Sequence, residues 1–176
     1  MSYHQPQTET TAVTRGALAL AALMIGIALV AGTILGREKP VGKVGSPFTH
    51  FSGTTLTGVE GDTAALEGDV LVVDFWASWC GPCVDKIPSL VEVQETYRDK
   101  GLHVVGVSGD HQQNALASAE QRLNTNFHTV YHGAEEVFQA YGVRSIPTIL
   151  VVDRSGNIAY MGHGGGWRSI VDKLMQ

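Results

Sequence analysis

Trp79-Cys80-Gly81-Pro82-Cys83 holds both cysteines of a 176-residue chain, with two residues between them. The stretch follows an apolar run, Val70-Leu71-Val72-Val73-Asp74-Phe75-Trp76, and precedes a segment with helical spacing. Two cysteines so spaced, at a strand-to-helix junction, read as a dithiol/disulfide redox centre. The competing reading is half of a zinc site. Zinc asks for more ligands, no second Cys-x-x-Cys exists, and the seven histidines are scattered singly. No metal and no cofactor are therefore expected.

The run 70–76 is nearly all hydrophobic, as in a strand buried on both faces. Asp74 breaks it, and a carboxylate there is costly unless it has a partner or a task. A helix is predicted from Gly81, with Pro82 tolerated in its first turn. Val84, Ile87, Leu90, Val91 and Val93 would form its buried face, and Pro88 should kink it. Gly101 ends it. Residues 102–108 predict a strand, 111–124 a helix, 127–131 a short strand, and 135–141 a helix stopped by Gly142. Ile146-Pro147 leads into a strand at 148–152, a turn at 153–157, a returning strand at 158–161 and a closing helix at 167–174. His163, alone in the glycine loop 162–166, is expected to be solvated rather than a metal ligand. Upstream, Pro47-Phe48 to Gly58 and the turn-rich 58–62 suggest a short hairpin, and 64–66 a helical turn. The alternation implies an α/β domain, a three-layer arrangement with a central mixed sheet, helices on both faces and an N-terminal β-hairpin extension.

Composition is that of a globular protein, 44% hydrophobic and 16% charged. The net charge of −5 carries no footprint of a nucleic-acid binder. Both cysteines lie in the motif, so core burial rather than structural disulfides must supply stability.

Residues 1–15 are polar and expected to be a disordered tail. Residues 16–36 form an uncharged stretch of 21 between Arg15 and Arg37. As a helix it would span about 31 Å, enough for a bilayer core. It is apolar all round, unlike the striped helix of a soluble core. A cleaved secretory signal is the rival, but its apolar region would be shorter, about 7–15 residues, and no convincing cleavage site follows. The expected organisation is a transmembrane anchor at 16–36, a linker at 37–44 and a catalytic domain at 45–176. Arg37, Lys39 and Lys43 outnumber Arg15, which by the positive-inside rule would keep that domain in the cytoplasm. The rule is weaker for long translocated domains.

Over residues 45–176 the chain resembles the thioredoxin superfamily. Val73-Asp74-Phe75-Trp76-Ala77-Ser78-Trp79-Cys80-Gly81-Pro82-Cys83 is similar to its active-site strand and motif, and Gly142-Val143-Arg144-Ser145-Ile146-Pro147-Thr148 to the segment that carries its cis-proline. The anchor, the hairpin and the extra helix-strand unit at about 111–131 resemble the membrane-tethered TlpA/ResA branch. So does Val104-Val105-Gly106-Val107-Ser108-Gly109-Asp110. That resemblance implies a single-pass protein whose catalytic domain lies in a periplasm or its equivalent. It also implies protein disulfides or thiols as substrates and a membrane electron donor for re-reduction. Arg144-Ser145-Ile146 departs from the Gly-Ala-Pro-Glu-type run of cytochrome c maturation reductases, which stay as an alternative.

Cys80 would sit at the mouth of the helix, where unpaired N–H groups and the macrodipole favour a thiolate. Its pKa should fall below the free value of about 8.5, and it would attack a partner disulfide. Cys83, one turn inside, would resolve the mixed disulfide. Asp74 matches the buried carboxylate of thioredoxins, a proton relay to Cys83; pairing with a lysine or a hydroxyl is the alternative role. A cis Pro147 would expose the Ile146 backbone to a substrate strand, with Trp76, Trp79, Gly81 and Pro82 framing the site. Gly81-Pro82 resembles thioredoxin and argues for a reducing potential, towards the low end of roughly −270 to −120 mV. A copper chaperone using the two thiolates and a histidine is a second class of function, and a thiol peroxidase a third, disfavoured by the Cys-x-x-Cys spacing.

Overall fold

A computed structural model describes residues 42–176. The expected tail and membrane span, and most of the linker, lie outside these residues. Among the described residues no helix is long and apolar enough to cross a membrane.

Seven strands and four α-helices follow in order: β1 (Ser52–Thr54), β2 (Glu60–Asp62), β3 (Val70–Trp76), α1 (Gly81–Tyr97), β4 (Leu102–Ser108), α2 (Gln113–Leu123), β5 (His128–Val130), α3 (Ala134–Ala140), β6 (Thr148–Val152), β7 (Ile158–Gly162) and α4 (Trp167–Leu174). β1 and β2 pair as the expected hairpin, and the other five strands form one sheet in the order β5-β4-β3-β6-β7. β4 runs parallel to both β3 and β5, while β6 is antiparallel to β3 and β7, so the sheet is mixed.

All seven residues of β3 are buried, which is why its sequence lacks polar alternation. Successive side chains still point to opposite faces. Val70, Val72 and Trp76 join a core with Cys83, Ile87 and Leu90 of α1, Leu116 of α2 and Trp167 of α4. Leu71, Val73 and Phe75 face a second core with Val137 of α3, Tyr141 and Phe48. By the same alternation Asp74 belongs to the first face, beneath α1.

α1 runs through Pro88, and its buried set is Cys83, Ile87, Leu90, Val93 and Gln94. Val84 and Val91, expected inside, are only half-buried. Gln94 is inside because its Oε1 accepts the Val104 N–H at 2.6 Å, before β5 begins to pair with that edge of β4. Gly101 ends the α1 region with φ +76°, and a Cβ there would meet the Asp69 carboxylate. The β6–β7 turn closes on Asp153, whose Oδ1 accepts from the N–H groups of Ser155 and Asn157 at 2.9 and 3.0 Å.

Two pairings place the site. Trp76 lies opposite Ser108 at the carboxyl ends of β3 and β4. Phe75 lies opposite Thr148, the first residue of antiparallel β6. The segment after β3 and the segment before β6 therefore emerge side by side, although 64 positions separate Cys83 from Pro147.

Candidate active site

After Trp76 the chain makes one tight turn, in which the Cys80 N–H donates to the Ala77 carbonyl at 3.1 Å. Asp110, just past β4, holds this turn from the side. Its carboxylate accepts the Ser78 N–H at 2.9 Å, the Ser78 hydroxyl at 2.5 Å and the Ser108 hydroxyl at 2.9 Å. Cys80 is then the N-cap of α1, and its Sγ accepts the Cys83 N–H at 3.3 Å. The two cysteines form a disulfide, with Cα atoms 5.2 Å apart. Cys80 is 7% exposed and Cys83 is wholly buried, so a partner meets Cys80 first. The free N–H groups of the first turn and the positive end of the helix dipole converge on the sulfur that would carry the thiolate.

Asp74 lies under this turn with no exposure, and neither carboxylate oxygen has a hydrogen-bond partner. Burial pushes its pKa from 3.8 to about 7, against a weaker opposing pull from Lys86. Lys86 stands on α1 one turn beyond Cys83, the spacing that puts two side chains on one helix face. Its Nζ is also buried without a hydrogen-bond partner. Burial lowers the Lys86 pKa, and Asp74 raises it. The lysine considered for Asp74 in the sequence thus exists, but it acts through the field and not through a bonded ion pair. Lys86→Met is expected to raise the Asp74 pKa above its wild-type value, because the desolvation remains and the neighbouring charge is gone. Carbon-detected NMR titration of the Asp74 carboxyl reads this directly; an unmoved or lowered midpoint would exclude the field of Lys86.

Ile146-Pro147 is a cis peptide, and both residues are half-buried beside the turn. The N–H and C=O of Ile146 make no hydrogen bond among the described residues. Trp79 is 67% exposed, and Gly81 and Pro82 are exposed with it, forming the outer rim. Trp76 does not frame the site: it is wholly buried and belongs to the core beneath the disulfide. Trp79, Phe138, Val143 and Ile146 line an open groove of about 880 Å³, together with His111, His132 and Glu135. His163 is exposed but not merely solvated, since its Nδ1 lies 2.8 Å from the Pro147 carbonyl oxygen. Sequence reasoning gave none of Lys86, Asp110 and His163 its role here: Lys86 went unnamed, Asp110 entered only as the end of the 104–110 segment, and His163 was expected to be solvated. Among the described residues no group of three or more His, Cys, Asp or Glu side chains could hold a metal ion.

Residues 43–174 match the Redoxin family. The chain belongs to the redoxin family. This redoxin is 30% identical over 122 residues to the thiol-disulfide oxidoreductase ResA of Geobacillus thermodenitrificans, covering 69% of this chain and 70% of the relative. It is 25% identical over 134 residues to ResA of Bacillus anthracis, covering 76% of each. Among solved structures, it superposes on the thioredoxin domain of a Bacteroides vulgatus thiol-disulfide oxidoreductase with a TM-score of 0.70 and 25% identity, over 76% of this chain and 99% of the other. A thiol:disulfide interchange protein of Chlorobium tepidum gives 0.69 and 27%, over 76% and 99%. The redoxin is a thioredoxin-like thiol-disulfide oxidoreductase of the TlpA/ResA kind, and Cys80–Cys83 is its redox-active disulfide.

Proposed function

We propose that this redoxin is a membrane-tethered reductant of disulfides in extracytoplasmic proteins. The carrying observation is the position of Cys80, the less buried sulfur, at the mouth of α1 and directly after Trp79, which lines one groove with Ile146 and its unused backbone. In the reduced protein the Cys80 thiolate attacks one sulfur of a substrate disulfide. A mixed disulfide forms and the first substrate thiolate leaves. Cys83 gives its proton to the Asp74 carboxylate, and its thiolate attacks the Cys80 sulfur. The Cys80–Cys83 bond closes, the second substrate thiolate leaves, and protonation completes the transfer of two electrons to the substrate. Ile146 and Pro147, with Trp79, Gly81 and Pro82, receive the substrate segment, which adds as a short strand. A membrane dithiol carrier returns the electrons.

The apolar stretch 16–36 supports the tether, and the similarity to the TlpA/ResA branch supports the extracytoplasmic side over the flanking-charge count. Equilibration of the full-length chain with dithiothreitol buffers should give a potential near the thioredoxin end of the range, about −270 mV. A value near −120 mV would make the protein an oxidant and overturn the direction. Labelling with a membrane-impermeant maleimide in intact cells after reduction should reach Cys80; protection until lysis would put the domain in the cytoplasm.

A further inference from the structure

We propose that His163 is a positioning residue that holds the Ile146–Pro147 edge ready for a substrate strand, and so sets the preference for polypeptide disulfides over small ones. The inference rests on the reading of this redoxin as a reductant of protein disulfides.

His163 reaches the segment before β6 on both sides of Ile146. Its Nδ1 lies 2.8 Å from the Pro147 carbonyl oxygen and 3.2 Å from Thr148 Oγ1. Its Nε2 lies 3.5 Å from Ser145 Oγ, a long contact. The acceptors around Nδ1 place a proton on it. The Thr148 hydroxyl donates to the Ser145 carbonyl at 2.7 Å, so its oxygen can only accept from the ring. Nδ1 therefore carries the hydrogen and donates to Pro147, with Thr148 Oγ1 as a second acceptor. Nε2 faces the Ser145 hydroxyl, which can serve as donor or acceptor.

The result is a clamp on residues 145, 147 and 148 that leaves residue 146 untouched. The Ile146 side chain packs against both cores. Its N–H and C=O remain unused among the described residues, which is what an incoming strand needs. The clamp is itself anchored, since the Tyr160 hydroxyl donates to the Gly164 carbonyl at 3.1 Å, in the loop that carries His163. With the imidazole absent, the Pro147 carbonyl loses its donor and the segment gains freedom that a bound strand must remove. A small disulfide needs only the Cys80 sulfur and does not use this edge.

The test compares insulin with the small aromatic disulfide DTNB, using full-length wild-type, His163→Ala and His163→Asn chains. For His163→Ala the ratio of kcat/KM for insulin to that for DTNB should fall roughly five- to tenfold, the scale of one hydrogen bond, through KM rather than kcat. His163→Asn, whose Nδ2–H can stand where Nδ1–H stood, should recover most of the ratio. Equal losses on both substrates, or an unchanged ratio in His163→Ala, would overturn the role of His163 while leaving the reductase reading intact. A wild-type chain that reduces DTNB but not insulin would end the protein-substrate reading, and the role of His163 with it.

Discussion

Asp74→Asn stabilises the fold above neutral pH and slows the second half of the exchange. The native carboxyl titrates at about 7 against an unperturbed 3.8, chiefly because it is buried. Below pH 3.8 it is protonated in both states and costs nothing. Between 3.8 and about 7 the unfolded chain has released its proton and the folded one has not, so stability falls as pH rises. Above about 7 both states are ionised and the penalty is complete. At 1.36 kcal/mol per unit, the difference between 3.8 and about 7 amounts to about 4 kcal/mol. Asparagine carries no such penalty. Denaturant titrations of wild type and variant should therefore agree near pH 4 and separate by several kcal/mol at pH 8. A gap that is the same at both pH values would show that Asp74 is ionised at an ordinary pKa.

The kinetic half follows from the same burial. A carboxyl near pKa 7 is half ionised at neutral pH and can take the proton of a buried thiol there. Asparagine cannot. Resolution of the mixed disulfide should slow by about 10²-fold at pH 7, while the attack by Cys80 keeps its rate. The defect should narrow as the pH rises, because more of the Cys83 thiol then ionises without help from the carboxylate. Acid-quenched time courses separate the two steps, and equal rates in both would remove Asp74 from the proton path.

Cys83→Ala ends turnover and leaves the chain bonded to its substrate. Cys80 remains at the helix mouth with the groove open, so the mixed disulfide still forms. The only thiol placed to break it is gone. Steady-state insulin reduction should drop by roughly 10³-fold or more, with a covalent adduct accumulating under non-reducing conditions. Cys80→Ala should lose activity equally and form no adduct, because Cys83 is wholly buried. Adducts on Cys80→Ala and none on Cys83→Ala would reverse the order of attack.

Much of this could be read along the chain. The strands at 70–76, 102–108 and 148–152 have the expected bounds because each is a largely apolar run closed by glycine, proline or a polar turn, and the helix at 167–174 because its apolar residues recur at helical spacing after the glycine loop. The elements at 111–124, 127–131 and 135–141 came out as Gln113–Leu123, His128–Val130 and Ala134–Ala140. They lie at the sheet margin or on its surface, where weaker hydrophobic contrast marks the ends less sharply. Asp74 was visible as a charge in a buried strand. On α1, Val91, expected inside, is half-buried, while Gln94 is buried because it accepts a hydrogen bond from β4.

The residues that escaped the sequence all act across long separations. Ser78 and Asp110 are 32 positions apart, and Pro147 and His163 are 16 apart. Ser78 and Asp110 lie in the segments 73–83 and 104–110, but neither segment says that the two side chains meet, and a single histidine in a glycine loop carries no motif of its own. The redox pair, its helix and the buried carboxylate were determined by local sequence, since spacing, an N-terminal helix position and a hydrophobic run are properties of a few consecutive residues. The tertiary structure alone decided that β6 lies antiparallel to β3, that Lys86 shares the buried face with Asp74, and that Asp110 and His163 grip the two loops around Trp79-Cys80-Gly81-Pro82-Cys83. Those contacts exist only once strand register and helix docking bring distant side chains within hydrogen-bonding or Coulomb range.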